Sequence, residues 1–357
     1  MIKTEGSLAD VAAGSHYSLV IRRGELWSFG DGKSGQRGVE RFGNAPTRIG
    51  NLSDWEIVFA GGDSSFAIRN GELWAWGDNF LGKLGISEPE RGIVKIPSRV
   101  GSLSEWSFIS AGPFHTLGIS SGKLFAWGCN YSNQLGIDHA AVLSYPTQVG
   151  EHDDWTDVSA GAHHSLGVRD GKLYAWGFAA SAKKRSSIKT PRQVGRDSGW
   201  EKVAAGTFCS FAIKNGVLHF WGEACSRQMH VSNGTISPVT AVDTFPPKIF
   251  LPTPVGNRLD WTSVSMSAET SVGIANHSAF FLGKVPLRLT LSEGAGESSI
   301  LRVDDSFAWS KISAGGEHLL GIRNGRIVSW GYNEFGQLGF LDPDERNAPT
   351  EVIFPGE

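Results

Sequence analysis

Residues 155–177 read WTDVSAGAHHSLGVRDGKLYAWG, and almost every feature of this stretch recurs along the chain. "WTDVSAG" alternates apolar and polar residues, the period-two signature of a strand. "SLGVR" and "KLYAWG" flank Asp170-Gly171, a two-residue pair that favours the type I′ hairpin turn. Taking Gly161 as the anchor, equivalent positions are Gly14, Gly61, Gly112, Gly206, Ser267 and Gly315, which makes seven copies spaced 45 to 61 residues apart. A second glycine stands sixteen residues after every anchor: Gly30, Gly77, Gly128, Gly177, Gly222, Gly283 and Gly331. Ten residues after the anchor lies the hairpin turn, at Gly24, Gly71, Gly122, Gly171, Gly216, His277 and Gly325. Six residues before the anchor stands Trp55, Trp106, Trp155, Trp200, Trp261 or Trp309, with Leu8 in the first copy. Four fixed offsets in seven copies define a repeat, whose units start near residues 8, 55, 106, 155, 200, 261 and 309.

A fourth strand in each unit is marked by "PTRIG", "PSRVG", "PTQVG", "PRQVG" and "PTEVI". Proline suits such a strand only at a sheet edge. Four short strands per unit, seven units and no helical periodicity predict an all-β, seven-bladed β-propeller with four antiparallel strands per blade, spanning residues 1–357 as one domain. The tryptophans are expected to pack blade against blade. The 46 glycines, nearly twice the usual share, then follow from turns and close strand approaches repeated seven times.

These motifs resemble the regulator of chromosome condensation repeat: Trp-x-x-Val-x-Ala-Gly-x-x-His, then Gly-x-Leu-x-x-Trp-Gly, then Gly-x-Asn-x-x-Gly-Gln-Leu-Gly. The last element stands here as "GDNFLGKLG", "GCNYSNQLG" and "GYNEFGQLG", and in weakened form as "GDGKSGQRG". The likeness covers about residues 8–353, and the sparing loops look like those of bacterial or bacteriophage members. WD repeats fit poorly, because Trp-Gly replaces Trp-Asp. The family resemblance implies protein binding, in roles that include nucleotide exchange on small GTPases, enzyme inhibition and structural parts of virions.

Chemistry is sparse. A net charge of −3 argues against a broad grip on nucleic acid or anionic membrane. Cys129, Cys209 and Cys225 form no CxxC pair, so neither a disulfide framework nor a zinc knuckle is indicated. The opening "MIKTEGSLAD" lacks an apolar stretch, so a cytoplasmic protein is expected, or a virion protein if the chain is phage-encoded. "GDGKSG" at 30–35 echoes a phosphate-binding loop, but Trp27 stands where its first glycine would fall, and the repeat register accounts for both Gly30 and Gly35. No catalytic residue, metal or cofactor is assigned.

Partner contacts are expected on the turns and loops. Two residues after each anchor stand His16, Asp63, Phe114, His163, Phe208, Glu269 and Glu317, a variable series that should gather on one face around the axis. One residue further lie Tyr17, Ser64, His115, His164, Cys209, Thr270 and His318, which match the family's recurrent histidine and are read as structural; Tyr17 is kept as a candidate contact as well. Neighbouring turns are expected about 10 Å apart, the spacing of packed sheets, too far to share a metal ion. Two loops are added as candidates: the basic run Lys183, Lys184, Arg185 in the fourth unit, and the proline-rich excursion within 223–260, with Pro246 and Pro247. The sixth unit is degenerate, but its apolar "SAFFLG" predicts that the blade persists.

Overall fold

A computed structural model of the chain describes residues 9–40, 43–86, 92–178, 187–222, 230–232, 235–237, 249–267, 270–282, 300–304, 306 and 308–356. Seven four-stranded antiparallel sheets follow one another along the sequence, and in all but the fifth the four strands are consecutive. The fourth blade shows the pattern: Trp155–Ala160, His164–Arg169, Lys172–Gly177 and Ile188–Gln193. Its hairpin turn places both Asp170 (φ 49°) and Gly171 (φ 63°) in the left-handed region, as a type I′ turn requires. The degenerate sixth blade keeps its four strands, and Asn276 (φ 45°) and His277 (φ 57°) take the same conformation without a glycine.

Strict alternation would place Trp155 and Asp157 on one face of the first strand. Instead a bulge follows the tryptophan: Trp155 opposes Arg169 while Asp157 opposes Val168. The shift lets Trp155 share the core with Val158 and Ala160, and frees Asp157 and Ser159 to face the next blade. The same irregularity follows the tryptophan in the second, fifth, sixth and seventh blades. All six repeat tryptophans are buried, and the seven hydrophobic clusters each bridge one pair of neighbouring blades.

The seventh cluster joins the last blade to the first, with Leu320, Ile322, Val352 and Phe354 against Val11, Val20, Trp27 and Phe29. No sheet mixes strands from the two ends of the described chain; the ring closes by lateral contact. One reading of the proline-rich excursion needs correction. Pro252 and Pro254 belong to "PTPVG", and the strand Ile249–Pro254 is the ordinary fourth strand of the fifth blade. Between that blade's third and fourth strands, His230–Ser232 and Thr235–Ser237 pair as a separate hairpin.

Candidate protein-binding face

At five of the seven junctions the inner strands are tied together by polar side chains reaching across to the next blade. The hydroxyls of Ser110, Ser159, Ser265 and Ser313 accept the backbone N–H of Ala160, Ala205, Ala314 and Ala13, each in the next blade, at 2.9–3.1 Å. Asp10 and Asp157 do the same for Val58 and Val203, at 2.9 and 2.8 Å. Each carboxylate also meets a lysine of an adjoining blade, Lys311 and Lys202 respectively. Burial pushes the Asp157 carboxyl up to about 6, against the opposing pull of Lys202 and the Val203 N–H.

In the first, second, third and seventh blades the loop after the third strand staples the blade to the one that follows. The backbone carbonyl of Gln134 in the third blade accepts both the Trp176 indole N–H at 2.8 Å and the Ser165 hydroxyl at 2.7 Å in the fourth. Gln36 serves Trp76 and Ser65 in the same way, and Lys83 serves Trp127 and Thr116. The loop asparagines hold this shape: Asn79, Asn130 and Asn333 accept the N–H groups of Leu84, Leu135 and Leu338 at 2.9–3.0 Å.

The recurrent histidines join this staple. His115 Nε2 lies 2.8 Å from Ser165 Oγ, and His318 Nε2 lies 3.0 Å from Ser18 Oγ. Both serine hydroxyls donate to a loop carbonyl, so Nε2–H of each ring must be the donor to the serine. His164 Nε2 makes the corresponding contact with Ser210 at 3.0 Å. Burial pushes His115, His164 and His318 down to about 3, 4 and 3, which keeps the rings neutral. Tyr17 occupies the same position in the first blade and is fully buried; its hydroxyl donates to Ser64 O at 2.7 Å and accepts from Ser65. Its expected place among the contact residues is therefore wrong, because strand alternation turns it toward the second blade.

The variable turn series behaves differently. Neighbouring turns touch rather than standing a sheet spacing apart: Ser15 N–H donates to Gly62 O at 2.9 Å and Ala162 N–H to Gly206 O at 3.2 Å. Blades converge toward the axis, so the 10 Å expectation fails there. The convergence brings three side chains into a stack. The Phe114 and His163 ring centroids are 5.5 Å apart at 26°, and those of His163 and Phe208 are 6.3 Å apart at 30°. Phe114 and His163 are half-buried and Phe208 is exposed, so the stack belongs to the surface.

Across the same face, His16 packs its ring 4.9 Å from that of Phe335, and Glu317 is exposed. Asp63 is half-buried. Burial raises its carboxyl pKa; Lys83 and His16 oppose that shift, while Asp31 and Asp78 add to it. Glu269, Lys183, Lys184, Arg185, Pro246 and Pro247 lie outside the described residues.

Sequence reasoning missed the second half of this face. In five blades the residue after the sixteen-offset glycine donates its N–H to the variable turn residue: Asp31 to His16, Asp78 to Asp63, Cys129 to Phe114, Phe178 to His163 and Tyr332 to Glu317, at 2.8–3.0 Å. The described stapling loops therefore flank the turns and add the exposed rings of Phe80 and Tyr131. The signal was present, since a two-residue hairpin fixes which residues oppose each other. At Gly177 a Cβ would stand 2.7 Å from His163 O, which is why this junction takes glycine.

Among the described residues no group of three or more His, Cys, Asp or Glu is placed to hold a metal ion. Nor, among those residues, is any helix long and apolar enough to cross a membrane.

Comparison with known proteins agrees with this architecture. Residues 70–119, 121–168 and 324–357 match the Regulator of chromosome condensation (RCC1) repeat. The first two segments each run from the hairpin turn of one blade to the second strand of the next, so the matched unit straddles the stapled junction. This chain is a seven-bladed propeller in which three segments match the RCC1 repeat. No curated protein matches it. Among solved structures, Prp20p from Saccharomyces cerevisiae, reported with its binding properties to Gsp1p and histones, is similar with 20% identity and a TM-score of 0.60 over 97% of this chain and 76% of that one. Human WBSCR16 is similar with 18% identity and a TM-score of 0.57, over 98% and 82% of the two chains. Likeness at this level of identity shows the fold.

Proposed function

We propose that this propeller is a non-enzymatic scaffold that binds a protein partner through the face formed by its turns and stapling loops, as a component of a larger assembly. The observation that carries the reading is the Phe114–His163–Phe208 stack, which spans three adjacent blades and leaves aromatic surface in contact with solvent. Rings held rigidly at the surface supply large contact area at small entropic cost, the property that enriches them in binding hot spots. Affinity capture from the native source, run in parallel with a Phe114→Ala/His163→Ala/Phe208→Ala variant, tests it. Loss of the captured protein by a variant that still unfolds cooperatively supports the assignment; unchanged capture rejects this face.

A second reading, nucleotide exchange on a small GTPase, follows from the family resemblance and from the likeness to Prp20p. Release of labelled nucleotide from a panel of small GTPases distinguishes the two. Acceleration by the purified protein establishes exchange, and no acceleration across the panel leaves the scaffold reading.

A further inference from the structure

The first strands enclose an axial cavity of about 380 Å³, within the size range of small-molecule sites. Its wall is unequal around the ring. Lys202, Ser263 and Lys311 occupy the same register, four residues before the anchor, in the fifth, sixth and seventh blades, and all three line the cavity. Phe108 holds that register in the third blade and packs edge-on against Phe59 of the second, with centroids 5.4 Å apart at 75°. In a seven-membered ring, the third blade lies opposite the gap between the sixth and seventh. An aromatic wall thus faces a hydroxyl flanked by two ammonium groups.

The lysines retain binding capacity. Among the described residues each meets one carboxylate, Asp157 for Lys202 and Asp10 for Lys311, both on the side away from Ser263. Those carboxylates are buried and already accept the Val203 and Val58 N–H groups, whereas the lysine side chains are 46% and 37% exposed. An ammonium has three N–H donors, so each lysine has donors left for an anion in the cavity. Toward the turn face the cavity narrows at a ring of alanines, Ala60, Ala111 and Ala160 among them. There the sixth blade contributes the longer Met266, lying against Gly206.

We propose that the axial cavity binds a small organic anion with an apolar, ring-bearing body, its carboxylate held between Lys202 and Lys311 beside Ser263 and its ring against Phe108 and Phe59. The site is separate from the turn face and does not depend on the partner bound there. Isothermal titration of the full chain with phenylacetate, and with the uncharged isostere phenylacetamide, tests the chemistry. Phenylacetate is expected to bind, with phenylacetamide about tenfold weaker, the effect of losing a charge-assisted hydrogen bond. Lys202→Met and Lys311→Met are each expected to weaken phenylacetate binding by about the same factor. Ser263→Leu, which fills the space between the lysines without removing a charge, covers the case in which a lysine variant fails to fold, and is expected to abolish binding. Crystals soaked in para-bromophenylacetate should place the bromine near Phe108. No binding of phenylacetate, equal binding of the amide, indifference to Ser263→Leu, or bromine found outside the cavity would each overturn the proposal.

Discussion

Ser313 in the seventh blade accepts the backbone N–H of Ala13 in the first at 3.0 Å, across 300 residues of sequence. Many rings of sheets close by sharing one blade between the two ends of the chain. Here the same serine that joins interior blades also joins the ends, so the seam repeats the bond found at three interior junctions. Ser313→Ala leaves the Ala13 N–H without an acceptor and is expected to lower stability by about 1–3 kcal/mol in denaturant unfolding. Ser159→Ala, at the junction of the fourth and fifth blades, should cost the same. A much larger loss at the seam would show that closure rests on this bond more than on the apolar cluster beside it.

Acid should destabilise the protein through its buried histidines. His115, His164 and His318 have folded pKa values depressed to about 3, 4 and 3, below the ordinary value near 6.5. Between those limits the unfolded chain binds protons that the folded chain refuses, so stability present above pH 6.5 is lost as pH falls. The loss approaches about 1.4 kcal/mol per pH unit for each ring. Urea titrations at a series of pH values check it, and His115→Gln, which keeps an N–H donor, should reduce the slope by one ring's share. An unchanged slope in that variant would refute the assignment.

Asp157 acts in the opposite sense. Its folded pKa is raised to about 6, so between about pH 4 and 6 the folded state holds a proton that the unfolded state has released. Its contribution is full below the ordinary carboxylate range and disappears as pH rises through 6. Asp157→Asn retains an oxygen for the Val203 N–H, and should therefore gain about 2–3 kcal/mol relative to wild type between pH 4 and pH 8. A pH-independent difference would exclude a raised carboxyl.

His277 is exposed and holds φ at 57° in a turn where every other copy of the repeat has glycine. His277→Gly relieves the left-handed strain and is expected to stabilise the sixth blade by about 1 kcal/mol. Thermal unfolding measures it directly, and destabilisation would mean that the imidazole makes a contact worth more than the strain.

The repeat was readable because steric demands leave a mark that only glycine and alanine can answer, as at Gly177 beside His163 O. The roles of Asp157 and Ser159 were not, because the bulge after Trp155 breaks the alternation from which a face is read. Tyr17 was misplaced for a related reason: adjacent strand residues differ in direction, and a phenol in the histidine position looked like a surface ring. The aromatic stack is not legible from sheet spacing, because the blades converge at the axis and bring neighbouring turns closer than packed sheets. "PTPVG" at 252–256 was legible all along, its prolines hidden by others nearby.

The staples also have a direction in time. Gln36, Lys83 and Gln134 each reach forward, onto residues synthesised after them. Gln337 reaches instead onto Ser18, which left the ribosome more than three hundred residues earlier. Throughout translation the first blade therefore presents an acceptor-hungry hydroxyl and an uncovered apolar flank that no earlier part of the described chain can satisfy. The nascent protein is an open arc until its last blade arrives, and its exposure to misassembly is longest at the blade made first.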